Sequence, residues 1–145
     1  MKDCLIIGPT TALGYREMFP LLRDKVIKVG HKGHKEHIGF IFSTDTGDKD
    51  QTAYWYTTLE VKDFDREFKL TKTYNPDDYP RYDNYPDVIE VKKCDDIPFN
   101  YDGIMGVPTT FFKYYPELPY EILEKRGDLV LNGKQMFERL IIRRK

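Results

Sequence analysis

Arg81-Tyr82-Asp83-Asn84-Tyr85 gathers a cation, an amide and aromatic rings in one short stretch. Arginine and asparagine side chains carry the paired groups that read guanine and adenine edges. A tyrosine ring can stack on a base, especially one removed from a duplex. Arg81, Tyr82, Asn84 and Tyr85 are therefore candidate DNA contacts, and a structural tyrosine-rich turn is the competing reading of the same residues. Residues 31–37 offer a second, cationic candidate. Lys32 and Lys35 could steer a phosphate backbone. His31, His34 and His37 recur at intervals of three, and imidazoles are good zinc ligands. Gly30, Gly33 and Gly39 argue against the helix that would put them on one side, and no acidic or cysteine partner stands out as an outer ligand. A solvated loop accounts for this stretch better than a metal site does.

Other residue patterns point away from an active site complete within this chain. Asp77-Asp78 and Asp95-Asp96 are adjacent carboxylates flanked by turn residues, so surface turns explain them better than general acid/base work. No nucleophile, base and orienting residue can be assembled, because all three histidines lie in one loop. Gly8 and Gly14 follow neither the Walker A nor the G-x-G-x-x-G pattern. Cys4 and Cys94 form no C-x-x-C motif, which leaves zinc and redox motifs without support. The net charge of -1 lacks the overall basic field of many nucleic-acid binders, although a local stripe such as Arg143-Arg144-Lys145 remains available. The four apolar residues 4–7 are too short for a signal peptide, and no run approaches the ~20 apolar residues of a membrane span. The chain therefore reads as cytoplasmic.

The elements that must hold these residues follow from periodicity. Residues 4–7, closed by Gly8-Pro9, read as a strand buried on both faces, as in a parallel sheet. Thr10 or Thr11 offers a helix N-cap, and Ala12, Tyr15, Phe19 and Leu22 fall on one helical face, with Pro20 kinking or restarting the helix. Residues 26–30 read as the next strand, making a βαβ unit if the two strands are parallel. Residues 39–43 and 53–59 are strands that could form a hairpin across the polar stretch 44–52. Residues 63–87, charged and interrupted by Pro76, Pro80 and Pro86, read as an extended arm. Residues 88–91 read as a short strand, residues 104–112 as loop or strand, and Asn132-Gly133 as the turn of a hairpin joining 129–134 to 137–142. The 11 tyrosines and 9 phenylalanines suit either a β-rich core or a binding surface.

Several runs, in order, resemble the EcoRI-type adenine-specific DNA methyltransferase family. They include LIIG at 5–8, Tyr15-Arg16-Glu17-Met18-Phe19-Pro20-Leu21, Lys28-Val29-Gly30 and Trp55-Tyr56-Thr57-Thr58-Leu59. The most specific are YPRYDNYPDVIEV at 79–91, DDIPFNYDGIMGVPTTFF at 95–112, YEIL at 120–123, and Asn132-Gly133-Lys134 followed by Arg139-Leu140-Ile141-Ile142-Arg143. The resemblance covers nearly the whole chain. Two stretches depart from the family pattern: residues 31–53, which are short, and Tyr115-Pro116-Glu117-Leu118-Pro119-Tyr120-Glu121.

The resemblance implies transfer of a methyl group from S-adenosylmethionine to the exocyclic amine of adenine in a specific DNA site. In the family an Asn-Pro-Pro-Phe motif accepts hydrogen bonds from that amine and stacks the flipped adenine. The motif and the cofactor-binding strand lie upstream of the strand resembling LIIG, so neither is expected within this chain, and the sole Asn-Pro, Asn75-Pro76, continues as Asp77-Asp78. The fold class implied is α/β: an incomplete Rossmann-like methyltransferase core edge over 1–62, with a β-rich C-terminal extension over 63–145 packed on it as one structural unit. The functional expectation is a fragment or split subunit of a site-specific DNA methyltransferase, inactive alone. It would be partnered by DNA and by an upstream methyltransferase chain, and would not bind S-adenosylmethionine by itself. A non-enzymatic DNA- or protein-binding module of the same descent is the alternative. The split reading expects an exposed apolar edge on the first strand, where a neighbouring strand would dock.

Overall fold

The computed structural model describes residues 3–30, 38–44, 47–60, 69–115 and 118–145. The chain divides into two compact units, Met1–Arg66 and Glu67–Lys145. The architecture is mixed α/β, with several sheets and a single short α-helix among the described residues.

In the first unit, β1 (Leu5–Pro9) leads through a 3-10 turn at Thr10–Gly14 into α1 (Met18–Arg23), and then into β2 (Lys28–Gly30), β3 (Ile38–Thr44) and β4 (Gly47–Thr57). β4 is the hub. β1 pairs antiparallel along its C-terminal half, from Leu5 opposite Thr57 to Pro9 opposite Ala53. β2 pairs antiparallel on the other side, from Lys28 opposite Thr57 to Gly30 opposite Trp55. β3 takes the remainder, from Ile38 opposite Ala53 to Thr44 opposite Gly47. β1 and β2 therefore run in the same direction with β4 between them. The expected strand–helix–strand order is present, but its strands are not neighbours. The 39–43 hairpin is also present and reaches farther than expected, because β4 starts at Gly47, inside the polar stretch read as a turn. Ladder pairing satisfies backbone groups whatever the side chains are.

β1 departs from expectation. It is not a strand buried on both faces in a parallel sheet. Its pairing is antiparallel, and Leu5, Ile6 and Ile7 are 56%, 53% and 46% exposed. Tyr56 holds it in place: the Tyr56 hydroxyl donates to the Pro9 carbonyl at 2.8 Å, and its ring lies where a side chain at Gly8 would have to go. Burial pushes the Tyr56 hydroxyl well above the usual tyrosine range.

The helical segment is broken where Pro20 suggested. Tyr15 is extended (φ -68, ψ 139), so the 3-10 turn and α1 are separate, and Pro20 falls in the first turn of α1, where its missing N–H costs nothing. Neither Thr10 nor Thr11 caps a helix; Pro9 occupies the position before the 3-10 turn. The single apolar face is split accordingly, with Ala12 and Leu22 buried but Tyr15 49% exposed. α1 closes with Lys25 at φ 60, while the Val26 amide donates to the Leu21 carbonyl at 2.9 Å and the Lys25 amide to Leu22 at 3.2 Å. That 6→1 and 5→2 pattern ends the helix, and it delays β2 to Lys28.

The second unit holds β5 (Arg81–Tyr82), β6 (Tyr85–Glu90), β7 (Ile104–Pro108), β8 (Tyr120–Arg126), β9 (Val130–Leu131), β10 (Lys134–Gln135) and β11 (Arg139–Arg144). Five of these form a sheet in the order β5-β6-β7-β11-β8, antiparallel except for the β6–β7 pair. β11 lies between β7 and β8, and Leu140, Ile141 and Ile142 are each fully buried. Ile141 joins Tyr82, Val88 and Leu129 in one apolar cluster. Leu140 and Ile142, on the opposite pleat, are buried equally well. The Asn-Gly turn is as expected, with Asn132 at φ 50 and Gly133 at φ 74 joining β9 to β10. Its continuation differs: residues 139–144 leave the hairpin to pair with β7 and β8. The C-terminal cations accordingly belong to a strand. Arg143 pairs with Glu121 at 2.6 Å, and Arg144 donates to the Phe99 carbonyl.

A buried polar network crosses this sheet. Glu90 on β6 is 1% exposed, and Arg139 on β11 meets it at 2.8 Å through Nη2 and at 3.2 Å through Nε. The Tyr82 hydroxyl donates to the second carboxylate oxygen. Burial opposes the Arg139 charge, and the bonds from Glu90 and Tyr82 more than offset that, so its proton is held more tightly than usual. The Tyr82 ring reaches Glu90 by lying over Gly106 of β7. A methyl group on Gly106 would sit 2.8 Å and 2.9 Å from that ring.

Candidate nucleic-acid interface

The turn between β5 and β6 carries Arg81, Tyr82, Asn84 and Tyr85, and the fold assigns each a different setting. Tyr82 is 1% exposed and spends its hydroxyl on Glu90, so its ring is part of the core and is not presented for base stacking. Asn84 uses both ends of its amide. Nδ2 donates to the Asp128 carbonyl at 2.8 Å, and Oδ1 accepts from the Val130 amide at 2.9 Å. The neighbouring Asp83 accepts from the Gly133 amide at 2.7 Å, and its own amide donates to the Val130 carbonyl. The turn is thereby stitched to the 128–133 hairpin across more than forty residues of chain. Arg81 is exposed and donates from Nη1 to the Pro86 carbonyl at 2.8 Å. Tyr85 is half-buried, with the Arg126 guanidinium 5.1 Å from its ring centroid. Lys32, Lys35 and the three histidines lie outside the described residues.

Arg126 is the residue that sequence reasoning missed. It sits at the end of β8 and forks onto Asp128, Nε to Oδ1 at 2.8 Å and Nη2 to Oδ2 at 2.6 Å. Those bonds hold the Asp128 carboxyl below the usual carboxylate range and raise the Arg126 pKa further. The only trace in the sequence is the Arg-x-Asp spacing; its contact with Tyr85 exists only once β8 is brought beside the β5–β6 turn.

A cavity of about 300 Å³ opens elsewhere in the second unit, with Lys72, Asp78, Tyr79, Glu90, Lys92 and Asp96 in its lining. Tyr79 donates to the Asp96 carbonyl at 2.6 Å, and Tyr74 stacks between Tyr79 and Tyr101 at 5.8 Å and 4.5 Å. The paired carboxylates are turn residues. The Asp77 amide donates to Asn75 Oδ1, Asn75 Nδ2 donates to Asp78, and Asp95 and Asp96 lie in a 3-10 turn. Its lining, with two lysines, three carboxylates and the Tyr79 ring, is mostly polar and identifies no seat for S-adenosylmethionine. No step of a methyl transfer follows from it. Among the described residues there is no cluster of three or more His, Cys, Asp or Glu able to hold a metal ion, and no disulfide joins Cys4 and Cys94. No helix among them is long and apolar enough to cross a membrane.

Comparison of the sequence with known proteins places the chain in a family. The profile described as "Adenine-specific methyltransferase EcoRI" matches residues 1–145. Type II methyltransferase M.EcoRI of Escherichia coli is 35% identical over 167 aligned positions, covering 99% of this chain and 51% of that protein. Type II methyltransferase M.MpnI of Mycoplasma pneumoniae is 26% identical, covering 85% of this chain and 44% of its own length. Type II methyltransferase M.MgeORF184P of Mycoplasma genitalium is 24% identical, covering 99% and 57%. This chain thus spans about half the length of the curated relatives it matches. No solved structure matches it at a significant level. With a profile match across its whole length and a relative above 30% identity, the chain belongs to the EcoRI family of adenine-specific methyltransferases.

Proposed function

We propose that this chain is the DNA-facing half of a site-specific adenine DNA methyltransferase and is inactive without a segment carrying the S-adenosylmethionine site and the Asn-Pro-Pro-Phe motif. That segment could be joined to it or supplied as a separate chain. The observation that carries this reading is the edge of β1. Leu5, Ile6 and Ile7 are three consecutive apolar residues, all about half exposed, on a strand whose outer side has no partner among the described residues. A free apolar edge on a sheet is an unfavourable surface for an isolated protein and a favourable one for a docking strand. The occupant we assign to it is the rest of a Rossmann-like core, of which Met1–Arg66 forms one edge.

The experiment is methyl transfer. The purified chain is incubated with labelled S-adenosylmethionine and mixed-sequence DNA, alone and after co-expression with the complementary half of a family relative. No label on adenine from the chain alone, and label once the complement is present, is the expected result. Label from the chain alone would show a complete active site and overturn the proposal. A second reading, a binding module that needs no complement, draws on the closed core of Glu67–Lys145, with fully buried Val88, Leu129 and Ile141. It expects DNA or protein binding and no activity with any complement.

A further inference from the structure

Arg126 is fixed in one plane in a way that leaves one end of its guanidinium chemically open. A guanidinium has five N–H donors. Two of them, on Nε and Nη2, are spent on Asp128 at 2.8 Å and 2.6 Å. The third nitrogen, Nη1, lies 3.8 Å from Glu124 Oε1, too far for a hydrogen bond. One Nη1 hydrogen and the second Nη2 hydrogen therefore remain as a second parallel pair of donors, on the end of the guanidinium beside the edge that holds Asp128. The plane is set twice more. The Tyr85 ring lies 5.1 Å from the guanidinium carbon, and Asn84 ties the backbone at Asp128 and Val130 to the turn that carries Tyr85. Asp128, whose side chain is 63% exposed, and Arg126, at 30%, are both reachable from solvent.

The charges around this fork indicate what it can recognise. Arg126 contributes one positive charge, and Asp128 and Glu124 two negative ones, so the local balance is unfavourable for a phosphate. Phosphate contact needs charge and tolerates a mobile side chain; base reading needs a fixed plane and paired donors. A neutral, planar pair of acceptors fits the arrangement, and in duplex DNA the guanine edge, with O6 and N7 in the major groove, presents that pair. We propose that Arg126 reads a guanine as a specificity residue, with Asp128, Tyr85 and Asn84 as its positioning residues. The inference rests on the DNA-facing reading above.

The test uses the full chain and a randomised duplex DNA pool. Bound sequences are selected and affinities measured between 50 and 200 mM salt (roughly the range over which phosphate contacts show) for the unaltered protein, Arg126→Lys and Asp128→Asn. Thermal unfolding of each variant confirms that it is folded. Lysine keeps the charge but cannot fork. The expected result is a guanine preference at one position that Arg126→Lys weakens by about 5- to 150-fold, with other positions and the salt dependence unchanged. Asp128→Asn should weaken the same position and no other. Uniform weakening across sequences, with the salt slope reduced by about one, would make Arg126 a phosphate contact and overturn the assignment. Binding indifferent to both variants would reduce the pair to a surface ion pair and overturn this inference alone. Failure of the unaltered chain to bind any duplex would overturn the DNA-facing reading and this inference with it.

Discussion

Replacing Arg139 with methionine removes the guanidinium and leaves the Glu90 carboxylate behind, with a side chain 0% exposed. In the native protein that carboxylate receives three arginine contacts, at 2.8, 3.2 and 3.2 Å, and the Tyr82 hydroxyl. In the variant only the hydroxyl remains. An uncompensated buried charge of this kind costs about 3–5 kcal/mol, a large share of the ~5–15 kcal/mol that holds a domain folded. With a urea dependence of about 2 kcal/mol per molar, the midpoint should fall by roughly 2 M. The companion variants sharpen the argument. Glu90→Leu alone should cost less, because Arg139 still donates to the Glu138 carbonyl at 3.3 Å and is itself 11% exposed. The double variant, Glu90→Leu with Arg139→Met, should recover most of the loss, since a well-packed apolar pair can match a buried ion pair. Equilibrium urea unfolding followed by far-UV circular dichroism gives all four corners of the cycle, and hence the coupling. The reasoning fails if Arg139→Met lies within about 0.5 kcal/mol of the native protein, or if the double variant is no better than Arg139→Met alone.

Three further outcomes are expected. Gly106→Ala should destabilise the second unit by about 1–3 kcal/mol in thermal unfolding, because the new methyl group meets a Tyr82 ring that is buried and tethered; an unchanged melting temperature would mean the ring can shift freely. The Asp128 carboxyl should titrate below the ordinary aspartate value in NMR and return toward it in Arg126→Ala, since the Arg126 bonds lower it first. Because the folded value is depressed, whatever stability the pair contributes is present above the unfolded value, about 3.9, and is lost as pH falls through the folded value. The chain should self-associate with rising concentration in light scattering, and Ile6→Lys should suppress this without lowering stability, as the side chain it replaces is 53% exposed; equal association by both proteins would locate the sticky surface elsewhere.

Local chemistry was legible wherever neighbours in the sequence decide the outcome. Asn132-Gly133 forms the expected turn because both residues tolerate positive φ. Pro20 restarts the helix because its ring and missing N–H allow only a first-turn position. The 39–43 hairpin followed from two β-forming runs joined by a polar stretch. The family, too, lay open in the linear order of its motifs. The candidate interface was legible only in part. The 81–85 stretch was located, but Tyr82 proved to be core, because its environment is supplied by Glu90, Gly106 and Arg139 from three strands. Arg126 was not singled out, because its partner Tyr85 lies 41 positions earlier in the chain.

The same limit separates two apolar runs that look alike on paper. Residues 5–7 and 140–142 are each three consecutive aliphatic residues; the first run reads as part of a strand buried on both faces, the second as part of a hairpin strand. Leu140, Ile141 and Ile142 are fully buried on a strand, β11, that has β7 on one side and β8 on the other, with Ile141 packed on Tyr82, Val88 and Leu129. Leu5, Ile6 and Ile7 are half exposed on a strand, β1, that among the described residues pairs with β4 alone. Residue type alone determined that both runs would be strands and would favour burial, since apolar, β-branched side chains suit a pleated surface. Which of them finds two neighbours is a property of strand order, and strand order is set by contacts between segments far apart in the chain, so only the tertiary structure decided it.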